Sequence, residues 1–204
     1  MVAVIDYDAG NIKSVAKAVK SLGREAAVTR DRDEILSADS IILPGVGAFG
    51  DAMEKLTGYG LDGVIKEAAA RRIPLLGICL GLQLFYEGSE ESPGAEGLGL
   101  FKGVCRRFPK DGGLKVPQIG WNRLLTAPGT RLFEGLPADP YVYFVHSYYA
   151  STEESEGGAA FSEYGVRFTA ALERDKVFAC QFHPEKSGRT GLRILENFLN
   201  TQKG

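Results

Sequence analysis

The residue best suited to chemistry is a cysteine between two glycines. Cys79 follows a short apolar run and stands between Gly77 and Gly81, and the segment after it resumes at helical spacing. This pattern predicts a buried strand that turns sharply into a helix. Such a turn lifts the side chain clear of the sheet, and the start of the helix favours thiolate over thiol. Cys79 is therefore a candidate nucleophile, and the alternative is a small cysteine of the core.

A thiol nucleophile needs a base, and the chain contains two histidines. His183 precedes Pro184 and stands two residues before Glu185. The residue before a proline is extended, and extended residues two apart point the same way. Glu185 would then fix the His183 tautomer and support the imidazolium that forms when the ring takes the proton of Cys79. The alternative is a pair of solvated loop residues. His146 is the weaker candidate base, and we expect it to be partly buried near the site.

A glycine-rich stretch from Gly45 to Gly50 matches the GxGxxG pattern of dinucleotide-binding loops. That fingerprint normally opens the first strand–helix unit, whereas this stretch follows the third predicted strand. We therefore predict a glycine loop beside Cys79 that supplies a backbone N–H to an oxyanion hole, together with the N–H of Leu80. The alternative is a flexible turn.

The elements that must position these residues alternate between strand and helix in the first half of the chain. Apolar runs predict strands at 2–7, 26–29, 40–43 and 73–79, and helical spacing predicts helices over 12–22, 33–38 and 61–71. This order favours an α/β fold with a doubly wound, mostly parallel sheet. The loops at Asp8, Gly45 and Cys79 would meet at the carboxyl edge, where such sheets bind ligands. Asn11 is the predicted N-cap of the first helix.

The second half is richer in short β-type runs, which predict an antiparallel extension of the same sheet. They lie at 98–108, 116–125, 141–149, 166–172 and 177–182. A last amphipathic helix is predicted from Thr190 to about Gln202.

The composition is that of one ordinary globular domain over residues 1–204, with 44% hydrophobic and 25% charged residues. A net charge of -2 gives no general attraction for nucleic acid or acidic membranes. Three cysteines without CxxC spacing predict neither a disulfide framework nor a metal site. No leader or membrane-spanning run is recognisable. We expect a cytoplasmic protein without metal or cofactor.

With these motifs, the chain resembles the class I (triad) glutamine amidotransferases, whose cysteine, histidine and glutamate match Cys79, His183 and Glu185. It is similar in particular to the glutaminase subunits of imidazole glycerol phosphate synthase. The matching stretches lie at 6–11, 43–49, 77–83, 119–122, 144–148 and 181–187. Asp8 and Gln118 depart from the residues usual in that family, glycine and histidine.

The resemblance implies hydrolysis of glutamine to glutamate and ammonia through a thioester on Cys79. It implies that the backbone N–H groups of Val46, Gly47 and Leu80 hold the oxyanion. It also implies that four side chains bind the α-amino and α-carboxylate groups of glutamine: Gln83, Glu91, Ser147 and Tyr148.

The resemblance further implies a heterodimer with a (β/α)₈-barrel cyclase subunit in histidine biosynthesis. Ammonia would pass through the barrel to the nucleotide acceptor, which becomes imidazole glycerol phosphate and an aminoimidazole carboxamide ribonucleotide, AICAR. The positions that face the barrel match Trp121, Asn122, Tyr143 and Lys186.

Three other functions stay open from the sequence. The chain could be the glutaminase subunit of another amidotransferase, or a catalytically silent regulatory protein of the same fold. A cysteine peptidase of related fold is the third.

Overall fold

The computed structural model describes residues 1–109, 113–151 and 157–201. The strands are β1 (Val2–Ile5), β2 (Ala26–Thr29), β3 (Ser40–Gly45), β4 (Leu75–Cys79), β5 (Gly88–Ser89), β6 (Val104–Arg107), β7 (Gln118–Arg123), β8 (Leu125–Thr126), β9 (Tyr141–His146), β10 (Tyr148–Ser151), β11 (Gly158–Tyr164), β12 (Val166–Arg174) and β13 (Val177–Cys180). The helices are α1 (Ile12–Ser21), α2 (Arg32–Leu36), α3 (Phe49–Gly58), α4 (Leu61–Ala70), α5 (Leu80–Leu84) and α6 (Gly188–Asn200). Short 3₁₀ turns span Arg131–Phe133 and Pro184–Lys186.

The main sheet runs in the order β2-β1-β3-β4-β13-β12-β10-β6-β5. In this order, β2, β1, β3, β4 and β13 run parallel to one another, whereas β12 and β10 are antiparallel to their neighbours. The predicted α/β class, with a mostly parallel sheet and an antiparallel extension, is confirmed. The carboxyl ends of β3, β4 and β13 therefore meet at one edge of the sheet.

The parallel strands are buried on both faces, which explains why they read as continuous apolar runs. Along each of these strands, alternate side chains belong to two different hydrophobic clusters, one on each face of the sheet. Val4, Leu76 and Phe178 pack with α1 and α6, while Ile5 and Leu75 pack with α3 and α4. The sheet is thus covered by helices on both sides. Within the three described ranges, no helix is long and apolar enough to cross a membrane.

Two differences from the sequence expectations affect the site. Helix α3 was not predicted, because its first residues, Phe49 and Gly50, were assigned to the glycine loop, although Phe49, Ala52, Met53 and Leu56 recur at helical spacing. The predicted strand over 141–149 is two strands that separate at Ser147. The first, β9, pairs with β7 in a two-stranded ribbon, and the second, β10, joins the main sheet.

Helix α6 ends at Asn200, and its predicted end at Gln202 lies outside the described residues.

The turn at Cys79 is held by close backbone packing. Cys79 itself adopts a positive φ of 56°, a conformation that is strained for a residue with a side chain. A Cβ on Gly77 would lie 2.7 Å from the carbonyl carbon of Gly81, and a Cβ on Gly81 would overlap the carbonyl oxygen of Leu43. Both glycines are therefore required because α5 starts in contact with β3 and β4.

We expect Gly81→Ala to lower the free energy of unfolding by about 2 kcal/mol, since the new methyl group meets backbone that cannot rotate away. Gly63→Ala is the matched control, because Gly63 is an exposed residue of α4 with open space at its Cβ position. That variant should gain about 0.5 kcal/mol from reduced chain entropy in the unfolded state. Urea unfolding followed by circular dichroism measures both, and equal stabilities of the two variants would contradict the packing argument.

Candidate active site

The structure brings Cys79, His183 and Glu185 together at the carboxyl edge of the sheet. Strand β4 ends at Cys79, and His183 follows the neighbouring strand β13. The Nδ1 atom of His183 lies 2.8 Å from Oε1 of Glu185, and both side chains are buried. The backbone N–H of His183 donates to the carbonyl of Tyr143 at 3.0 Å, which anchors the main chain of His183 to β9.

Electrostatics in this cluster favour a charged imidazole. Burial alone would lower the pKa of His183, but its hydrogen bonds and charge interactions with Cys79 and Glu185 outweigh burial and raise the pKa to about 9. Burial also opposes the charge of Glu185, yet the bonds from His183 and Asn11 hold its pKa below the usual value. The arrangement therefore stabilises an imidazolium between the Cys79 sulfur and a carboxylate, the form that His183 adopts after it takes the proton of a cysteine nucleophile.

Asn11 belongs to this cluster, and sequence reasoning assigned it a different role. It occupies the position before α1, but its side chain makes no capping hydrogen bond. The predicted N-cap position is therefore confirmed, but the side chain does not cap the helix. Its Nδ2 instead donates to Oε1 of Glu185 at 2.6 Å, so that one carboxylate oxygen accepts from both Asn11 and His183. The signal in the sequence was the position of Asn11 in the loop at the carboxyl end of β1.

A cavity of about 310 Å³ opens in front of Cys79. This volume is within the range of small-molecule sites. The predicted site residues that line it are Val46, Gly47, Cys79, Leu80, Gln83, Glu91, Ser147, Tyr148, His183 and Lys186. The structure also adds Pro117, Val145 and His146 to the lining.

The predicted oxyanion groups lie on the cavity wall beside the thiol. Gly45 pairs with Cys79 across β3 and β4, so Val46 and Gly47 begin the loop next to the turn. Gly47 has a φ of 110°, which glycine adopts without strain. The loop is short, since α3 begins at Phe49.

Two of the predicted glutamine-binding side chains, Glu91 and Gln83, are held by hydrogen bonds within the protein. The Oε2 atom of Glu91 accepts the backbone N–H of Phe49 at 2.8 Å. Gln83 donates from Nε2 to the carbonyl of Tyr148 at 2.9 Å. Ser147 lies between β9 and β10, and it lines the cavity. A held carboxylate with nearby polar groups suits the ammonium and carboxylate ends of an amino acid.

His146 is in a different environment from His183. Its Nδ1 lies 2.8 Å from the carbonyl of Tyr148, and its ring packs against Phe108, Phe144 and Phe168 at centroid distances of 5.1, 5.5 and 5.2 Å. Burial lowers its pKa to about 4. His146 is therefore neutral and largely buried, which makes it a poor base for Cys79. In the described parts of the chain, no group of three or more metal-ligating side chains could hold an ion.

Three of the four predicted partner-facing residues lie on the β7–β9 ribbon and divide between its two faces, whereas Lys186 lies in the 3₁₀ turn that follows His183. Trp121 is 57% exposed, and its ring packs edge-on against Tyr143 at 6.1 Å. Asn122 turns to the opposite face, where its Nδ2 donates to the carbonyl of Glu163 at 2.8 Å. Sequence reasoning missed Ile119 and Tyr141, which are 63% and 50% exposed. The alternation of Ile119 with Trp121 along β7 was the available signal.

Comparison with known families agrees with this geometry. Residues 3–201 match the model of the glutamine amidotransferase class-I family, so the chain belongs to that family. A crystal structure of a glutamine amidotransferase superposes with a TM-score of 0.77 over 100% of both chains, at 20% sequence identity, and shows the same fold.

More narrowly, the chain belongs to the HisH subunits of imidazole glycerol phosphate synthase. It is 48% identical to the HisH subunit of Caldanaerobacter subterraneus subsp. tengcongensis, over 97% of each chain. It is 50% identical to the HisH subunit of Streptococcus sanguinis, over 97% of this chain and 95% of the relative.

The two histidines should titrate far apart. We expect His183 to stay protonated and His146 to stay neutral as the pH passes through about 6.5, the ordinary histidine value. Imidazole ¹H–¹⁵N NMR spectra recorded against pH measure this directly, and His146→Gln assigns the two rings. Cys79→Ala should lower the pKa of His183, because it removes one of the groups that raise it. Two rings that both titrate near the ordinary value would contradict the buried ion pair.

Proposed function

We propose that Cys79, His183 and Glu185 hydrolyse the side-chain amide of glutamine to glutamate and ammonia. The observation that carries the proposal is the buried His183–Glu185 pair beside Cys79, at the wall of a cavity lined by the glutamine-binding candidates. The family membership supports the same reaction, since HisH is the glutaminase subunit of imidazole glycerol phosphate synthase in histidine biosynthesis.

In the first half of the reaction, the Cys79 sulfur attacks the amide carbon while His183 holds the thiol proton. The negative charge that develops on the amide oxygen is held by backbone N–H groups of Leu80 and of the Val46–Gly47 loop. His183 then gives its proton to the departing nitrogen, the C–N bond breaks, and ammonia leaves a γ-glutamyl thioester on Cys79.

In the second half, neutral His183 accepts a proton from water, and the water oxygen attacks the thioester carbon. The C–S bond breaks, the sulfur is restored and glutamate leaves. Glu185 accepts the Nδ1–H of His183 throughout, which keeps Nε2 on the side of the reacting atoms. Asn11 supports this orientation through the same carboxylate oxygen.

Substrate orientation follows from the charges on the cavity wall. We assign the α-ammonium group of glutamine to Glu91, whose Oε2 is anchored by the N–H of Phe49. Gln83, Ser147 and Tyr148 are assigned to the other polar groups of the substrate. This assignment rests on their common place on the lining beside Cys79.

The HisH relatives are named as subunits of a synthase, so the chain acts with a partner subunit. We propose that this partner is a (β/α)₈-barrel cyclase that receives the ammonia. The support is the outer face of the β7–β9 ribbon, where Ile119, Trp121 and Tyr141 are exposed apolar side chains. Lys186 and Val145 line the cavity near this face. Aromatic anchors of this kind are typical of protein interfaces.

We also propose that the chain is one domain that works in the cytoplasm. The family model covers residues 3–201 without a break. Cys79, Cys105 and Cys180 form no disulfide, which suits a reducing compartment.

We expect little glutamate release by the chain alone, and a large increase when the cyclase subunit of the same organism and its nucleotide ligand are both present. Cys79→Ala should reduce that activity at least about a thousandfold, because no other group replaces the nucleophile. Cys105→Ala, at a second buried cysteine, should retain it. The assay is enzymatic quantification of glutamate over time.

Strong activity that is indifferent to the cyclase would overturn the proposed partner while leaving the thiol chemistry in place. Full activity of Cys79→Ala would overturn the mechanism itself.

A further inference from the structure

A second buried side chain contacts the Cys79 sulfur, and the reaction described above does not use it. Gln181 is fully buried directly after β13. Its backbone N–H donates to the carbonyl of Ala170 at 2.9 Å, which holds the residue in the sheet. Because Cys180 pairs with Ile78 across β13 and β4, Gln181 stands beside Cys79. Its Nε2 lies 3.8 Å from Sγ of Cys79.

The orientation of this amide is fixed by a backbone carbonyl. The oxygen of Tyr148 can only accept, so the atom of Gln83 that faces it at 2.9 Å is the nitrogen Nε2. The same nitrogen lies 3.0 Å from Gln181, which must therefore present its oxygen Oε1 to Gln83. The remaining atom of the Gln181 amide, the nitrogen, faces Cys79. A flipped amide would leave two donors facing each other inside the protein.

We propose that Gln181 donates an N–H hydrogen bond to the sulfur of Cys79 that stabilises the thiolate and holds it in line with the substrate. In the thiol form, Sγ of Cys79 lies 3.8 Å from the carbonyl of Val145 and donates its proton there. The thiolate has no proton to give, so that carbonyl no longer stabilises it. The Gln181 N–H and the His183 imidazolium are then the groups that compensate the charge.

This inference rests on the proposed function, because it takes Cys79 as the nucleophile. Gln181 is then a second hydrogen-bond donor to the sulfur, in addition to His183. Because its amide cannot exchange a proton as the imidazole does, Gln181 acts only on the position and charge of the sulfur. The Gln83–Gln181 contact also connects a substrate-binding candidate to the nucleophile through one buried hydrogen bond.

The test is the pH dependence of Cys79 alkylation in Gln181→Met, which keeps the size of the side chain and removes the N–H. Iodoacetamide modification of the full chain is followed by mass spectrometry of the Cys79 peptide, which separates it from Cys105 and Cys180. We expect the pH midpoint of alkylation to rise by about one unit, and the rate below the midpoint to fall roughly tenfold. Gln118→Met is the matched control, since Gln118 is a second buried glutamine, and it should leave the midpoint unchanged.

Gln181→Glu provides the second variant, because it keeps the shape and places a carboxylate oxygen near the sulfur. It should raise the midpoint further than Gln181→Met does. Circular dichroism melting identifies any variant that is unfolded at the working temperature. The alkylation midpoint of the variant that is folded then tests the proposal. A folded variant with the wild-type midpoint would overturn the proposal. The readout needs no glutamine turnover, so it is independent of the glutamate-release assay that tests the proposed function.

Discussion

The parallel pairing of β4 with β13 is the contact on which the rest of the site depends. It places Cys79 beside the segment that carries Gln181, His183 and Glu185, although almost half of the chain lies between the two strands. The cost of the positive φ at Cys79, about 1–3 kcal/mol, is sustained by strands that are buried on both faces. A fully packed sheet therefore holds Cys79 in a conformation that an isolated loop would not keep.

The two histidines show how one residue type acquires opposite properties from its surroundings. His183 is buried with a carboxylate and a sulfur, so its charged form is stabilised. His146 is buried among phenylalanine rings, so its charged form is disfavoured. The proposed acid–base role thus depends on Glu185, whose buried carboxylate neutralises the imidazolium and accepts a hydrogen bond from Asn11. Both histidines line the cavity, so their position alone would not distinguish the two rings.

Local patterns predicted much of this fold. The apolar runs of the parallel strands and the glycines around Cys79 are short-range signals, as is the spacing of His183 and Glu185. Helix α3 was missed, despite the regular spacing of its buried residues, because its first turn was assigned to the glycine loop. The bond from Asn11 to Glu185 joins residues that lie 174 positions apart. The role of Gln181 depends on strand register, and no local pattern contains that information.

The most direct test of the central claim, that Cys79 is the nucleophile of this buried cluster, is covalent trapping with a glutamine-mimicking electrophile. The chain is incubated with the reagent in the presence of the cyclase subunit, and the modified residue is located by mass spectrometry. The account predicts one adduct, on Cys79, that disappears when excess glutamine competes. An adduct on Cys105 or Cys180 instead, or a Cys79 adduct that glutamine does not prevent, would contradict it.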